Sequence, residues 1–208
     1  MIGVIDYGCG NIHSVLNALS YIGESAFLSS DTDKLKTADG YILPGVGAFP
    51  DAVKNLKQSG LMDFILNERQ NKPILGICLG MQLLFDKSYE FCECPGLSLI
   101  KGEITKIRFE GLKIPHMGWN ALSFSDSAKA CPLLYGVSEN TYVYFVHSYK
   151  AEAENEENVA ASAYYGERIP ALVYDKNVFG CQFHPEKSGE SGLRILKNFC
   201  DFTEGRSK

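Results

Sequence analysis

The chain has 208 residues, of which 45% are hydrophobic and 22% are charged, and this balance excludes a disordered chain. The formal net charge of −5 at pH 7 argues against a nucleic acid as the main partner, because phosphate binding needs concentrated positive charge. No apolar stretch in the sequence approaches membrane-spanning length. We therefore expect one large domain over residues 1–208 that binds neither nucleic acid nor membrane.

The first residues and the cysteines indicate the compartment. Residues 1–6 place an acid after a short apolar run and contain no basic stretch, which predicts a first strand rather than a signal peptide. The chain has seven cysteines, an odd number that predicts free thiols in a reducing cytoplasm. Cys92 and Cys94 have no matching second pair, so we expect loop thiols there rather than a metal site.

Short apolar runs alternate with helical patterns through the first half of the chain. Residues 2–5 predict a strand, and apolar residues recur at helical spacing over 12–22. A strand over 40–43 and a helix over about 53–69 follow, and residues 73–77 form the strand that leads to the first candidate site residue. This rhythm predicts a parallel sheet covered on both faces, with ligands bound at the carboxyl ends of its strands.

The second half of the chain changes character. Four segments are rich in Val, Ile, Tyr and Phe and predict strands, some paired antiparallel through hairpin turns. These segments are residues 100–109, 141–150, 159–165 and 171–183. A final helix is predicted over residues 189–202.

Two glycines after the first strand suggest a nucleotide site, but the pattern fails. Gly8 and Gly10 precede a predicted helix, as in the dinucleotide fingerprint G-x-G-x-x-G. The third glycine would fall at His13, and the chain has no G-x-x-x-x-G-K-[ST] motif. We therefore expect no nucleotide cofactor.

Cys78 lies between Gly76 and Gly80 at the junction of an apolar strand and a helical pattern. This arrangement is the G-x-nucleophile-x-G pattern of a sharp strand-to-helix turn, with cysteine as the nucleophile. Such a turn exposes the side chain and directs backbone N–H groups at it, which favours a thiolate. The alternative is a small buried core residue. The flanking glycines favour the nucleophile.

A cysteine nucleophile needs a basic partner, and among the four histidines His184 has the most suitable context. It ends an apolar strand and precedes Pro185, which favours extended backbone. Residues two apart in extended backbone share a face, so Glu186 can orient the imidazole. Cys78, His184 and Glu186 are thus predicted to form a catalytic triad, although a lone histidine at a strand end is often structural.

Two segments together, residues 76–82 and 182–186, resemble the class I (triad) glutamine amidotransferases. Five further stretches resemble one subgroup of that family, the glutaminase subunits of imidazole glycerol phosphate synthase. They are residues 6–11, 43–49, 115–120, 144–149 and 184–189. The resemblance runs nearly end to end and implies a three-layer, flavodoxin-like, mostly parallel sheet with antiparallel additions in the C-terminal half. Cys9 stands where the subgroup is expected to have methionine, a departure that affects none of the proposed roles.

The resemblance also implies a reaction and a partner. L-glutamine would be hydrolysed to glutamate through a cysteine thioester. The ammonia would pass to a (β/α)-barrel cyclase subunit, HisF, in a heterodimer that makes imidazole glycerol phosphate and aminoimidazole carboxamide ribotide in histidine biosynthesis. No cofactor is implied.

Further residues gain roles from the resemblance. Gly45, Val46 and the N–H of Leu79 would stabilise the oxyanion, although a plain turn also explains Gly45. Gln82, one helical turn after Cys78, would contact the substrate.

Three more positions would complete substrate binding. Glu90 would pair with the amino group of glutamine, or it is a solvated surface charge. The backbone near Ser148 and Tyr149 would hold the amide or carboxylate end of the substrate. His147 is expected to be a structural residue of a buried strand, and a simple polar loop residue is an alternative for His116.

Trp119, Tyr144 and Lys187 would lie near the synthase interface by the same resemblance. Aromatic residues suit such anchors, although Trp119 could equally be a partly buried core residue. The glycine-rich segment 45–47 predicts an oxyanion site that is completed only when the partner docks.

Three other functions remain open. A close relative within the family can supply ammonia for amidation of a surface sugar. A cysteine hydrolase or redox-responsive protein can use the same turn at Cys78. A binding-only subunit with a dead site is the third alternative, and the presence of all three triad residues argues against it.

Overall fold

A computed structural model describes residues 1–108 and 111–206 of the chain. Its strands are β1 (Ile2–Ile5), β2 (Ala26–Ser29), β3 (Gly40–Leu43), β4 (Ile74–Ile77), β5 (Lys87–Ser88), β6 (Cys94–Pro95), β7 (Gly102–Lys106), β8 (His116–Ala121), β9 (Ser123–Phe124), β10 (Tyr142–His147), β11 (Tyr149–Ala153), β12 (Val159–Tyr165), β13 (Glu167–Asp175) and β14 (Val178–Cys181). Its α-helices are α1 (Ile12–Tyr21), α2 (Thr32–Leu35), α3 (Phe49–Gln58), α4 (Leu61–Glu68), α5 (Leu79–Gln82) and α6 (Gly189–Thr203). Within those two ranges, no helix combines the length and the apolar character needed to cross a bilayer.

An eight-stranded sheet in the order β2-β1-β3-β4-β14-β13-β12-β9 organises the chain. The first five strands in this order are parallel, and the last three add antiparallel. Residues from both halves of the sequence meet in its centre, because β14 pairs in parallel with β4. The prediction of a mostly parallel sheet with antiparallel additions is confirmed.

The core lies on both faces of this sheet. Ile42 of β3 packs with Leu19 of α1 and Phe199 of α6 on one face. The next residue, Leu43, packs with Leu56 of α3 on the other. Because successive strand residues point to opposite faces, one apolar strand supplies both cores. The result is the predicted arrangement of three layers.

Two small sheets cover the carboxyl end of the parallel strands. β8 and β10 pair antiparallel, and a four-stranded sheet has the order β11-β7-β5-β6. Residues 141–150, predicted as one strand, are divided between these sheets: β10 ends at His147 and β11 begins at Tyr149. The chain therefore changes sheet at Ser148, beside the candidate site.

Two other predicted elements differ from the structure. The single helix predicted over 53–69 is two helices, α3 and α4, because Gly60 has a positive φ of 71° that interrupts the helix. The strand predicted over 100–109 is shorter, Gly102–Lys106, and Phe109 lies outside the described residues.

Candidate active site

Cys78 occupies the sharp turn between β4 and α5. Its φ of 54° is positive, a conformation that costs a non-glycine residue about 1–3 kcal/mol. A Cβ on Gly80 would lie 1.8 Å from Leu43 O, and a Cβ on Gly76 would lie 2.5 Å from Gly80 O. The G-x-C-x-G pattern thus arises because the turn packs against itself and against β3, where only glycine fits.

The Cys78 sulfur lies between β10 and the segment that follows β14. Sγ is 3.7 Å from Val146 O and 3.9 Å from Gln182 Nε2. The Cys78 N–H donates to Cys181 O at 2.7 Å, which ties the turn to β14. Gln182 was not identified from the sequence. The available signal was its position two residues before His184, on the same side of extended backbone.

His184 follows β14 and reaches the same pocket as Cys78, because the parallel strands β14 and β4 end side by side. Its Nδ1 lies 2.8 Å from Glu186 Oε1, and both side chains are buried. The predicted extended geometry is right for His184 but wrong for the residues after it, because Pro185–Lys187 form a short 3₁₀ turn. The carboxylate reaches the imidazole across that turn.

The backbone of His184 is also fixed from two sides. Its N–H donates to Tyr144 O of β10 at 2.9 Å, and Ser188 Oγ donates to its carbonyl at 2.6 Å. β10 therefore holds the backbone that carries the imidazole and also contacts the sulfur of Cys78.

The charge state of His184 results from opposing effects. Burial alone would lower its pKa, but interactions with Cys78 and Glu186 outweigh burial and raise the pKa to about 9. His184 is therefore an imidazolium at neutral pH, and it lines the same pocket as Cys78. Within residues 1–108 and 111–206, Nε2 of His184 has no partner with full hydrogen-bond geometry, so this atom is available to exchange a proton.

A pocket of about 350 Å³ opens at this point, a size within the range of small-molecule sites. Its lining contains most of the predicted catalytic, oxyanion and substrate residues. The lining residues are Val46, Gly47, Cys78, Leu79, Gln82, Glu90, Pro115, Val146, His147, Ser148, Tyr149 and His184.

The candidate oxyanion segment runs along the turn at Cys78. A Cβ on Gly45 would lie 2.6 Å from Gly80 N and 2.8 Å from the Leu79 side chain, so the two backbones touch. The buried hydroxyl of Tyr7 donates to Pro44 O at 2.7 Å and fixes the peptide before Gly45. Val46, which follows, is 44% exposed and lines the pocket.

The side-chain amide of Gln82 donates its hydrogen bonds to other groups of the protein. Its Nε2 donates to Tyr149 O and to Gln182 Oε1, both at 3.0 Å. The Ser148 carbonyl is also engaged, because it accepts from Ile107 N at 3.0 Å. These contacts make residues 148–149 a fixed wall of the pocket.

Glu90 is half-buried and lines the pocket, so the interpretation as a solvated surface charge is wrong. Its Oε2 accepts from Phe49 N at 2.7 Å, at the beginning of α3. Burial raises the pKa of Glu90, against the hydrogen bond from Phe49. The carboxylate is thus positioned to meet a cation in the pocket.

Trp119 of β8, Tyr144 of β10 and Lys187 of the turn after His184 lie side by side. The rings of Trp119 and Tyr144 are 6.1 Å apart, and Lys187 Nζ lies 5.8 Å from the Tyr144 ring. Trp119 is 54% exposed, so its interpretation as a core residue is wrong. The alternative for His116, a polar loop residue, is also wrong, because His116 is a buried residue of β8.

Sequence comparison relates the chain to known proteins. A family profile described as glutamine amidotransferase class-I matches residues 3–202. Proteins from Caldanaerobacter subterraneus subsp. tengcongensis, Lactococcus lactis subsp. lactis and Wolinella succinogenes are each 50% identical to the chain. The alignments cover 96%, 95% and 97% of this chain and 97%, 96% and 99% of the relatives. Each relative is named imidazole glycerol phosphate synthase subunit HisH.

Solved structures share the fold at lower identity. A crystal structure of a glutamine amidotransferase superposes with a TM-score of 0.75 at 19% identity, covering 98% of each chain. The structure of PurLQS from Thermotoga maritima gives a TM-score of 0.72 at 22% identity, covering 97% of each chain. At these identities the likeness shows the fold alone.

Proposed function

The chain belongs to the class I glutamine amidotransferase family, and from that premise we propose that it hydrolyses L-glutamine at Cys78 and supplies ammonia to a synthase partner. The observation that carries this proposal is the meeting of Cys78 and His184 in one pocket at the ends of two neighbouring parallel strands, with Glu186 2.8 Å from the imidazole of His184.

In the first step the Cys78 thiolate attacks the side-chain amide carbon of glutamine. The carbonyl oxygen becomes an oxyanion and accepts from the N–H of Leu79 and from the backbone at Gly45–Val46. Each preorganised donor of this kind contributes about 3 kcal/mol to catalysis in comparable sites. The close contact between Gly45 and the turn at Cys78 supports this assignment.

His184 then moves the protons. Its imidazolium donates from Nε2 to the amide nitrogen, the C–N bond breaks, and ammonia leaves a γ-glutamyl thioester on Cys78. Neutral His184 next takes a proton from water while the oxygen attacks the thioester carbonyl. The C–S bond breaks, which yields glutamate and restores the thiolate and imidazolium. Glu186 holds the imidazole throughout, as its 2.8 Å contact with Nδ1 supports.

The remaining pocket residues orient the substrate. Glu90 pairs with the α-amino group, as its half-buried carboxylate in the pocket supports. The backbone at Ser148 and Tyr149 receives the other end of glutamine. Gln82 positions the Tyr149 carbonyl by donating a hydrogen bond to it, and it also contacts the substrate.

The partner in this proposal is the (β/α)-barrel cyclase HisF, in a heterodimer that makes imidazole glycerol phosphate. The three relatives at 50% identity are named as subunits of that synthase, so amidation of a surface sugar is not favoured. The exposed aromatic pair Trp119 and Tyr144, with Lys187 beside it, suits a docking surface.

Two further expectations belong to the same proposal. Residues 1–208 form a single domain, which is supported by one sheet that takes strands from both halves. The protein works in the cytoplasm, where its seven free thiols stay reduced.

The test is covalent labelling with an electrophilic glutamine analogue, followed by peptide mapping. Modification of Cys78 that free glutamine protects against supports the amidotransferase. Modification spread over other cysteines, without protection, favours a hydrolase or redox-responsive protein. Complementation of a histidine auxotroph lacking the glutaminase subunit separates the histidine pathway from sugar amidation.

A further inference from the structure

Two histidines outside the triad form a buried pair, of which His147 lines the pocket and His116 does not. His116 of β8 and His147 of β10 stand opposite each other in the antiparallel strand pair, with Nδ1 of His116 3.0 Å from Nε2 of His147. The His116 ring is stacked between Phe145 and Tyr165, at centroid distances of 4.6 and 4.1 Å. Neither imidazole takes part in the reaction steps above.

The hydrogen bonds fix where each proton lies. Nδ1 of His147 lies 2.8 Å from Tyr149 O. Because a carbonyl oxygen can only accept a hydrogen bond, Nδ1 of His147 carries the hydrogen. Burial lowers the pKa of His147 to about 3 and that of His116 to about 4, so both rings are neutral at physiological pH. Nε2 of His147 is therefore a bare acceptor, and His116 must donate to it from Nδ1. Nε2 of His116, bare in turn, faces Asn120 Nδ2 at 3.4 Å.

The hydrogen bonds that run from His116 through His147 end at the carbonyl of Tyr149, which lines the pocket. The Tyr149 carbonyl that accepts from His147 also accepts from Gln82, so one oxygen joins the histidine pair to a residue at the site. The chain passes from β10 to β11 at Ser148, between the two bonded residues. The position of the Ser148–Tyr149 backbone thus depends on how His147 is held.

We propose that His116 and His147 are positioning residues whose directed hydrogen bonds set the Ser148–Tyr149 wall and so the affinity for glutamine. This inference rests on the proposed function, because it assigns the substrate to that wall. His116 acts through His147 and does not touch the substrate. A change in the donor at position 116 should therefore alter KM more than kcat.

Two substitutions separate the hydrogen bond from the packing. His116→Phe keeps a ring between Phe145 and Tyr165 but removes the donor to His147. His116→Asn loses the ring but keeps an amide N–H near the place of Nδ1. Tyr165→Phe is the matched control, because it keeps the stack and removes a hydroxyl that donates to Lys113 O, away from the pocket.

Steady-state kinetics in the complex with the cyclase subunit give the first readout. We expect KM for glutamine to rise about tenfold in His116→Phe, as for loss of a buried hydrogen bond, and to stay near the wild-type value in His116→Asn and Tyr165→Phe. Thermal unfolding of each variant reports packing separately. A larger KM increase in His116→Asn than in His116→Phe would overturn the proposal and leave a packing role.

Nitrogen-15 NMR of labelled histidine in the wild-type protein needs no variant and no activity. We expect two neutral imidazoles, both protonated on Nδ1, that do not titrate between pH 6 and 8. Titration of His116 or His147 in this range, or an Nε2–H form of His147, would overturn the proposed order of hydrogen bonds. If the wild-type complex fails to hydrolyse glutamine, the proposed function fails, whereas an active complex with unchanged KM in His116→Phe overturns this inference alone.

Discussion

Replacing Glu186 by Gln removes one negative charge from the triad and keeps the shape of the side chain. The carboxylate lies 2.8 Å from His184 Nδ1 with both side chains nearly inaccessible, so solvent screens the interaction little. A hydrogen bond to a charged group contributes about 1.5–3 kcal/mol, against about 0.5–1.5 kcal/mol for a neutral pair. The substitution should therefore weaken the interaction with the imidazolium by about 1.4 kcal/mol. This free energy corresponds to a fall of about tenfold in kcat and of about one unit in the pKa of His184.

The assay is glutaminase turnover of the complex, with proton NMR titration of His184 alongside. We expect kcat to fall about tenfold with KM near the wild-type value, and the pKa of His184 to fall from its wild-type value of about 9. Glu190→Gln is the matched control, since Glu190 is exposed on the first turn of α6. An unchanged kcat, or a change in KM alone, would refute the assignment of Glu186 as the group that orients and charges the imidazole.

Other perturbations give separate expectations. Cys78→Ala should abolish glutamine hydrolysis while the complex still uses free ammonia and binds its partner; loss of the ammonia-driven reaction would contradict this division of labour. Tyr7→Phe leaves the buried Pro44 carbonyl without its 2.7 Å bond, so denaturant unfolding should show a loss of about 1–3 kcal/mol, and kcat should fall with little change in KM. A stable variant with wild-type kcat would show that this bond does not support the oxyanion segment. Gly80→Ala places a Cβ 1.8 Å from Leu43 O and should cost more than about 4 kcal/mol in thermal unfolding, which a wild-type melting temperature would disprove. The isolated subunit should hydrolyse glutamine slowly and accelerate when the cyclase and its nucleotide ligand are added; full activity alone would exclude gating.

The parts of the site that local patterns encode could be predicted from the sequence. The turn at Cys78 is encoded by Gly76 and Gly80, because any Cβ there would collide with backbone. The alternation of strands and helices in the first half predicted a parallel sheet with ligands at the carboxyl ends of its strands, where Cys78 lies. The parallel pairing of β14 with β4, which brings His184 beside Cys78, was not predicted. The resemblance to a known family added Val46, Gln82, Glu90, Ser148 and Tyr149, but not Pro115, Val146 or His147, which also line the pocket.

Features that depend on pairing between distant segments were not predicted. His116 and His147 are 31 residues apart, and only the register of β8 against β10 brings them together. The change of sheet at Ser148 is hidden in a continuous run of strand-forming residues. Gly60 ends a helix through its positive φ, whereas the apolar periodicity continues past it.

The most direct test of the central claim is rapid acid quenching of the complex during turnover with glutamine, followed by mass spectrometry of its peptides. We expect a γ-glutamyl adduct on the Cys78 peptide that appears with glutamine and disappears as the substrate is consumed. Turnover without any adduct on Cys78, or with the adduct on another cysteine, would contradict it.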